Sequence, residues 1–231
     1  MKKILHITIL LLSAYSTGFA SPEPNTSWAA YKNSNSIMGF ILGDTEIKDI
    51  VAKMGGKLPN EPDHKHELAS ICYKVGEKPV YVVFSTGVLH DYSTLYGFEV
   101  AQNIQDHIKT TCTKYNLSGN ESIVTNGGLH IGQTKDSVLE QLNNPTKKSS
   151  QNWSWTYENY LKYEKPKVST TKAGPTDEKY LMKHISKGAY ESGTISILFS
   201  NETVVGFSVD YFAESDFKIE RYDLTSGERL R

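Results

Sequence analysis

The chain reads as an α+β protein made of two tandem repeats, each a short helical segment packed on an antiparallel β-sheet of about three to four strands. Two stretches predict this. "GFILGDTEIKDIVAKM" begins at Gly39 and "GLHIGQTKDSVLEQL" at Gly128, and both open with Gly, apolar, any, apolar, Gly, any, Thr. Each runs on into an apolar-periodic segment and then into three stretches rich in β-branched and aromatic residues, in the same order. The strand-like stretches also correspond: "YVVFS" to "SILFS", "LYGFEV" to "VVGFSV", and "ICYKV" to "WTYEN" at the tyrosine. Ordered blocks of this kind are the signature of an internal repeat. The division drawn from them is 1–20 as a signal peptide, 21–115 as the first repeat and 116–231 as the second, with an insertion at 160–192.

The elements follow in order. "MKK", an apolar core and a small residue at Ala20 have the layout of a cleaved secretory signal, and the apolar core is too short for a permanent span. Removing Lys2 and Lys3 with it takes the formal net charge from -1 to -3, which argues against a nucleic-acid partner. No cysteine stands directly after the cleavage point, so no lipid anchor is expected there, and the protein is expected free in the periplasm or secreted.

In the first repeat Ile47, Ile50, Val51 and Met54 share a helical face, with Thr45 as N-cap and Gly55–Gly56 as the stop. Three strands follow, around "LASICYKV", "PVYVVFSTG" and "TLYGFEVAQ". Ile104 and Ile108 suggest a short helix between the repeats. In the second repeat Val138, Leu139 and Leu142 share a face, with Thr134 as N-cap and Pro145 beyond the end. "NWSWTYENY" alternates as a strand, and "GTISILFS" and "TVVGFSVDYF" form a hairpin around "NE". The Lys- and Tyr-rich excursion at 160–192 fits either an extended hairpin or a mobile loop.

Period-two alternation assigns the two faces of each sheet. Val80, Val82, Phe84, Tyr96, Phe98 and Val100 belong under the first helix. Ile195, Ile197, Phe199, Val205, Phe207, Val209 and Tyr211 belong under the second, with Trp153, Trp155 and Tyr157. The opposite face is small and half-polar: Tyr81, Val83, Gly97 and Glu99, then Ser154, Thr156, Ser196, Leu198, Gly206, Ser208 and Asp210. An antiparallel sheet can leave such a face in water or offer it to a partner. Cys72 and Cys112, an even count in an exported chain, are expected to form a disulfide.

"HIGQTKDSVLEQLNNPT", "WSWTY" and "ISILFSNETVVGFSV" together resemble the small outer-membrane-assembly proteins of the SmpA/OmlA family. Two such units in one exported chain resemble the tandem-repeat beta-lactamase inhibitor proteins. The likeness covers 39–101 and 128–212. It implies helix-on-sheet units that bind proteins through the surface of both sheets. Carried over residue by residue, the partner-binding positions are Tyr81, Val83, Glu99, Ser154, Thr156, Leu198 and Asp210, with Tyr81 as aromatic anchor and Glu99 and Asp210 as steering charges. The lipidated cysteine of the assembly family is missing, and Asn143 or Asn144 stands where that family ends its helix with Gly.

Other chemistry is sparsely represented. "DHKHE" at 63–67 offers His64 and His66 with Asp63 or Glu67, but in a Pro-flanked polar linker where a solvated loop is the simpler reading. His90–Asp91 has no evident nucleophile, and no Gly-x-Ser-x-Gly, phosphate loop or His-Glu-x-x-His occurs. The expected function is protein binding, as an inhibitor or immunity factor for an exported or periplasmic enzyme, with no catalytic residues, no cofactor, no metal, no nucleic acid and no membrane anchor. An envelope-assembly or scaffold role is the first alternative, and a metal-dependent enzyme using His64 and His66 the second.

Overall fold

A computed structural model of the chain describes residues 28–59, 69–77, 79–86, 93–105, 109, 111–118, 121–173, 180–224 and 229–230. The signal expected at 1–20, the "DHKHE" stretch, His90–Asp91 and Ile108 lie outside the described residues.

Two compact units divide the chain: residues 1–157 with 193–211, and residues 158–192 with 212–231. They do not follow the sequence division at 115/116, because strands from both halves pair within the first unit.

That first unit has helices over one face of an antiparallel-rich sheet. Helix α1 (Trp28–Ser34) leads into a tight hairpin of β1 (Ser36–Ile37) and β2 (Phe40–Ile41), with Met38 and Gly39 at positive φ as its two-residue turn requires. Helix α2 (Ile47–Met54) buries Ile47, Ile50 and Met54. Strands β3 (Ser70–Val75), β4 (Val80–Thr86) and β5 (Leu95–Ala101) form a meander. β6 (Thr113–Tyr115) lies parallel to β3 at the sheet's edge. Helix α3 (Lys135–Leu142) buries Val138 and Leu142, and β7 (Lys147–Lys148) follows. β8 (Asn152–Ala173), β9 (Tyr180–Ser200) and β10 (Thr203–Asp223) complete the sheet, whose order is β6-β3-β4-β5-β10-β9-β8-β7.

The capping residues act as expected with one displacement. Thr134 Oγ1 accepts from the Ser137 N–H at 3.3 Å, as an N-cap should. Thr45 stands one position too early: Glu46 is the N-cap, and Thr45 Oγ1 instead accepts from the Ile41 N–H at 2.8 Å, closing the loop before α2. Gly55 and Asn143 end the two helices at φ 77° and 63°, the left-handed region that Gly adopts freely and Asn tolerates.

One core holds the unit together. Ile50, Val82, Phe84, Val100, Val138, Trp155, Ile195, Ile197 and Val209 are fully buried in it, as is Tyr31 from α1, a helix that the apolar periodicity does not announce. The alternation slips twice. In β5, Ser85 opposes Gly97 while Thr86 opposes Leu95, so Tyr96 is an extra residue. Leu95 is therefore fully buried, and Tyr96 moves outward to stack on Tyr211. In β10, Val204 bonds through both backbone groups to Gly132 and Gln133, and the next carbonyl, that of Val205, accepts from the Gln102 N–H. Val204 rather than Val205 is therefore the fully buried residue.

The second unit holds the outer lengths of β8, β9 and β10, with β11 (Arg229–Leu230) paired to β10. Residues 160–173 and 180–192 thus continue β8 and β9 as neighbouring strands, which fits the first of the two readings the sequence allowed. Asn159 donates to Glu191 at 2.8 Å, and Tyr160 packs on Tyr190. Glu220 binds Lys218 and Arg229 and accepts from the Tyr222 hydroxyl at 2.7 Å.

Candidate functional face of the sheet

The face turned away from the core is built by strand pairing. β3, β4, β5 and β10 align three rows across it: Lys74–Tyr81–Ala101–Gly206, Cys72–Val83–Glu99–Ser208 and Ser70–Ser85–Gly97–Asp210. Ser154, Thr156, Ser196 and Leu198 alternate with buried Trp153, Trp155, Tyr157, Ile195, Ile197 and Phe199, so they belong to the same face on β8 and β9. The pairing of β5 with β10 brings the residues expected from both halves onto one surface.

Its chemistry is mostly Ser, Thr, Gly and small apolar groups, with two carboxylates at the centre. Glu99 opposes Ser208, and Asp210 opposes Gly97, so the two acids are diagonal neighbours on adjacent strands. Gly97 makes room for one of them. A Cβ there would stand 2.7 Å from Asp210 Oδ1, so the absent side chain lets the carboxylate lie across β5. The Tyr31 hydroxyl donates to the Asp210 carbonyl at 2.8 Å and fixes that point of β10 from the core side.

Burial pushes the Asp210 carboxyl up to about 6, and the charge of Glu99 adds to the shift. Burial also raises Glu99. Neither acid makes an ion pair among the described residues. Lys74 is the basic residue of the three aligned rows, and it stands exposed on β3, two strands from β5.

The expected binding residues differ in what they offer. Val83, Glu99, Ser154, Leu198 and Asp210 are half-buried and Thr156 is exposed. Tyr81 is only 7 % exposed, so its ring is already packed and its hydroxyl is the part left to act. No hydrogen-bond partner holds that hydroxyl among the described residues. The Cys72–Cys112 disulfide is present, and it lies on this same face, because Ile71 and Tyr73 beside Cys72 oppose the core residues Phe84 and Val82. It ties the link between β5 and β6 to the face, a placement the spacing of two cysteines does not reveal.

Among the described residues, no group of three or more His, Cys, Asp or Glu is arranged to hold a metal ion, and no helix is long and apolar enough to cross a membrane. Comparison with protein-family models, curated proteins and solved structures finds no match.

Proposed function

We propose that this chain is a tandem-repeat, protein-binding module of the SmpA/OmlA-like, beta-lactamase-inhibitor-like kind, exported and acting as an inhibitor or immunity factor. Each repeat is a helix followed by three strands, α2 with β3–β5 and α3 with β8–β10. The reading is carried by the edge-to-edge joining of β5 and β10, which makes the helix-free faces of both halves one surface. A half-polar sheet face with small side chains and a few charges suits reversible docking of a folded partner.

The experiment is a pull-down from envelope extract with tagged residues 21–231, read by mass spectrometry, followed by affinity measurement with the recovered partner. A soluble enzyme held near one-to-one and inhibited on binding supports the inhibitor role, whereas barrel-assembly components would move the reading to a scaffold. The double variant Glu99→Lys/Asp210→Lys is expected to weaken binding at least tenfold while keeping its folded spectrum. Unchanged affinity would remove this face from the proposal.

A further inference from the structure

We infer that the uncovered length of β3 is a strand-addition site, which takes an extended acidic peptide of a partner protein. It lies at the edge of the sheet and does not rest on the docking role proposed for the open face. A cavity of about 530 Å³ is lined by the consecutive residues 70–73 of β3, by Gly56 and Lys57 from the segment after α2, and by Thr111 and Thr113 where the chain enters β6. Successive side chains of a strand point to opposite faces, so four in a row can line one cavity only at the strand's free edge.

The main chain at that edge is unclaimed. The Thr86 N–H donates to the Ala69 carbonyl at 2.9 Å, so the odd-numbered residues of β3 turn their main-chain groups toward β4. Ser70, Cys72 and Lys74 turn theirs the other way. β6 lies on that side, but it pairs only from Tyr73 to Val75. It takes up the groups of Lys74, while the N–H and C=O of Ser70 and the N–H of Cys72 have no partner among the described residues. Such a row is a template for one more strand. Three residues of β3 span about 10 Å, and the cavity has the size of a small-ligand site, so it fits a few residues of extended chain. A helix spends its main-chain groups internally and could not meet these.

The walls and the charge narrow the occupant. The Tyr73 hydroxyl donates to the Gly55 carbonyl at 2.7 Å, and a Cβ on Gly56 would stand 3.0 Å from Thr113 Oγ1, so the segment after α2 is held against β3 and β6. The groove is thus formed before anything enters it, which lowers the cost of binding. Lys57 is exposed and makes no ion pair among the described residues, and no acid lines the cavity. Lys53 of α2 is already engaged by Glu121 at 3.0 Å, which leaves Lys57 for a carboxylate of the peptide. Alternate side chains of the added strand meet half-buried Ile71 on one side and the Cys72–Cys112 bridge on the other, so an apolar residue belongs over Ile71.

The test selects short linear peptides from a random displayed library against the mature chain with its disulfide intact, then titrates those recovered into isotope-labelled protein. Sequences combining Asp or Glu with β-branched residues are expected, and they should shift the amides of Ser70 and Cys72 and slow their hydrogen exchange. N-methylating the peptide at main-chain positions that face β3 should weaken it on the order of tenfold. Lys57→Glu should weaken it about fivefold. Ser70→Pro removes an outward N–H at an edge position that tolerates proline, and it should abolish binding, whereas Ser70→Ala keeps the main chain and should bind as the parent does. Recovery of no peptide, shifts confined to other residues, full binding by the N-methylated form, or affinity unchanged in Lys57→Glu would each overturn the inference. Protection of Ser70 that grows with protein concentration in the absence of peptide would overturn it too, by assigning the edge to a second copy of this chain.

Discussion

Asp210 is the residue at which the free protein gives up stability. An aspartate in the unfolded chain titrates near 3.8, and in the folded chain burial and Glu99 raise it to about 6. A raised carboxyl binds its proton more tightly when folded, so its contribution is complete below pH 3.8 and is lost as pH rises through about 6. After allowance for its partial exposure, the loss between pH 5 and pH 7.5 is about 1 kcal/mol. Asp210→Asn should therefore raise the denaturation midpoint at about pH 7.5 and change it little at about pH 5. Urea unfolding of both proteins at the two pH values checks this, and an equal effect at both would remove the burial argument. A carboxylate kept at a cost to folding is what a binding surface requires and a purely structural surface does not. The face assignment of Asp210 and Glu99 was legible in the sequence, because alternation with Val209, Val100 and Phe98 is unbroken there. The role of Gly97 was not, because it depends on which residue of another strand lies opposite.

At the scale of elements, the two halves solve one problem with different residues. Each helix ends with a carbonyl that has lost its intrahelical donor. In the first half the Tyr73 hydroxyl donates to the Gly55 carbonyl at 2.7 Å. In the second, Trp155 Nε1 donates to the Asn143 carbonyl at 3.2 Å. Tyr157 matches Tyr73 in the sequence alignment of the halves, yet its hydroxyl is buried with no partner among the described residues. Two substitutions that look alike should thus diverge. Tyr73→Phe removes a made hydrogen bond and should cost about 1 kcal/mol, with the freed Gly55 carbonyl adding to it. Tyr157→Phe removes an unsatisfied buried hydroxyl and should be neutral or stabilising by up to about 1 kcal/mol. Parallel thermal melts decide it, and equal destabilisation would contradict the hydrogen-bond assignment. Helices α2 and α3, their stops and the core faces of β4, β8 and β9 were readable from periodicity and caps. The slips at Tyr96 and Val204 were not, since a bulge is set by pairing with a partner strand rather than by the strand's own sequence. Helix α1 was missed because it is seven residues long and held by contacts distant in sequence, Tyr31 lying against Gly193 and Asp210.

Over the whole chain, what makes the strands of two halves one sheet face is long-range, and the disulfide is one of the ties that keep it so. β5 and β10 are over a hundred residues apart, and their pairing sets Glu99 beside Asp210. The segment leaving β5 must reach β6 at the far side of β3, and Cys112 fastens it to Cys72 on the open face on the way. The bridge closes a loop of 40 residues, which in the chain-entropy account stabilises the fold by about 4 kcal/mol. β6 pairs with β3 over only three residues, and Tyr115, set against Tyr73 and hydrogen-bonded to Glu121, is its other hold among the described residues. Cys72→Ser/Cys112→Ser should lower stability by about 2–4 kcal/mol, seen as a lower urea midpoint. Hydrogen exchange should rise first in β6 and at Tyr81, while β9 and β10 keep their protection. Uniform loss of protection would mean that the bridge stabilises only the unfolded-state balance and does not organise the face. Local loss confined to 102–115 would mean that it sets how much of the open face a partner can reach.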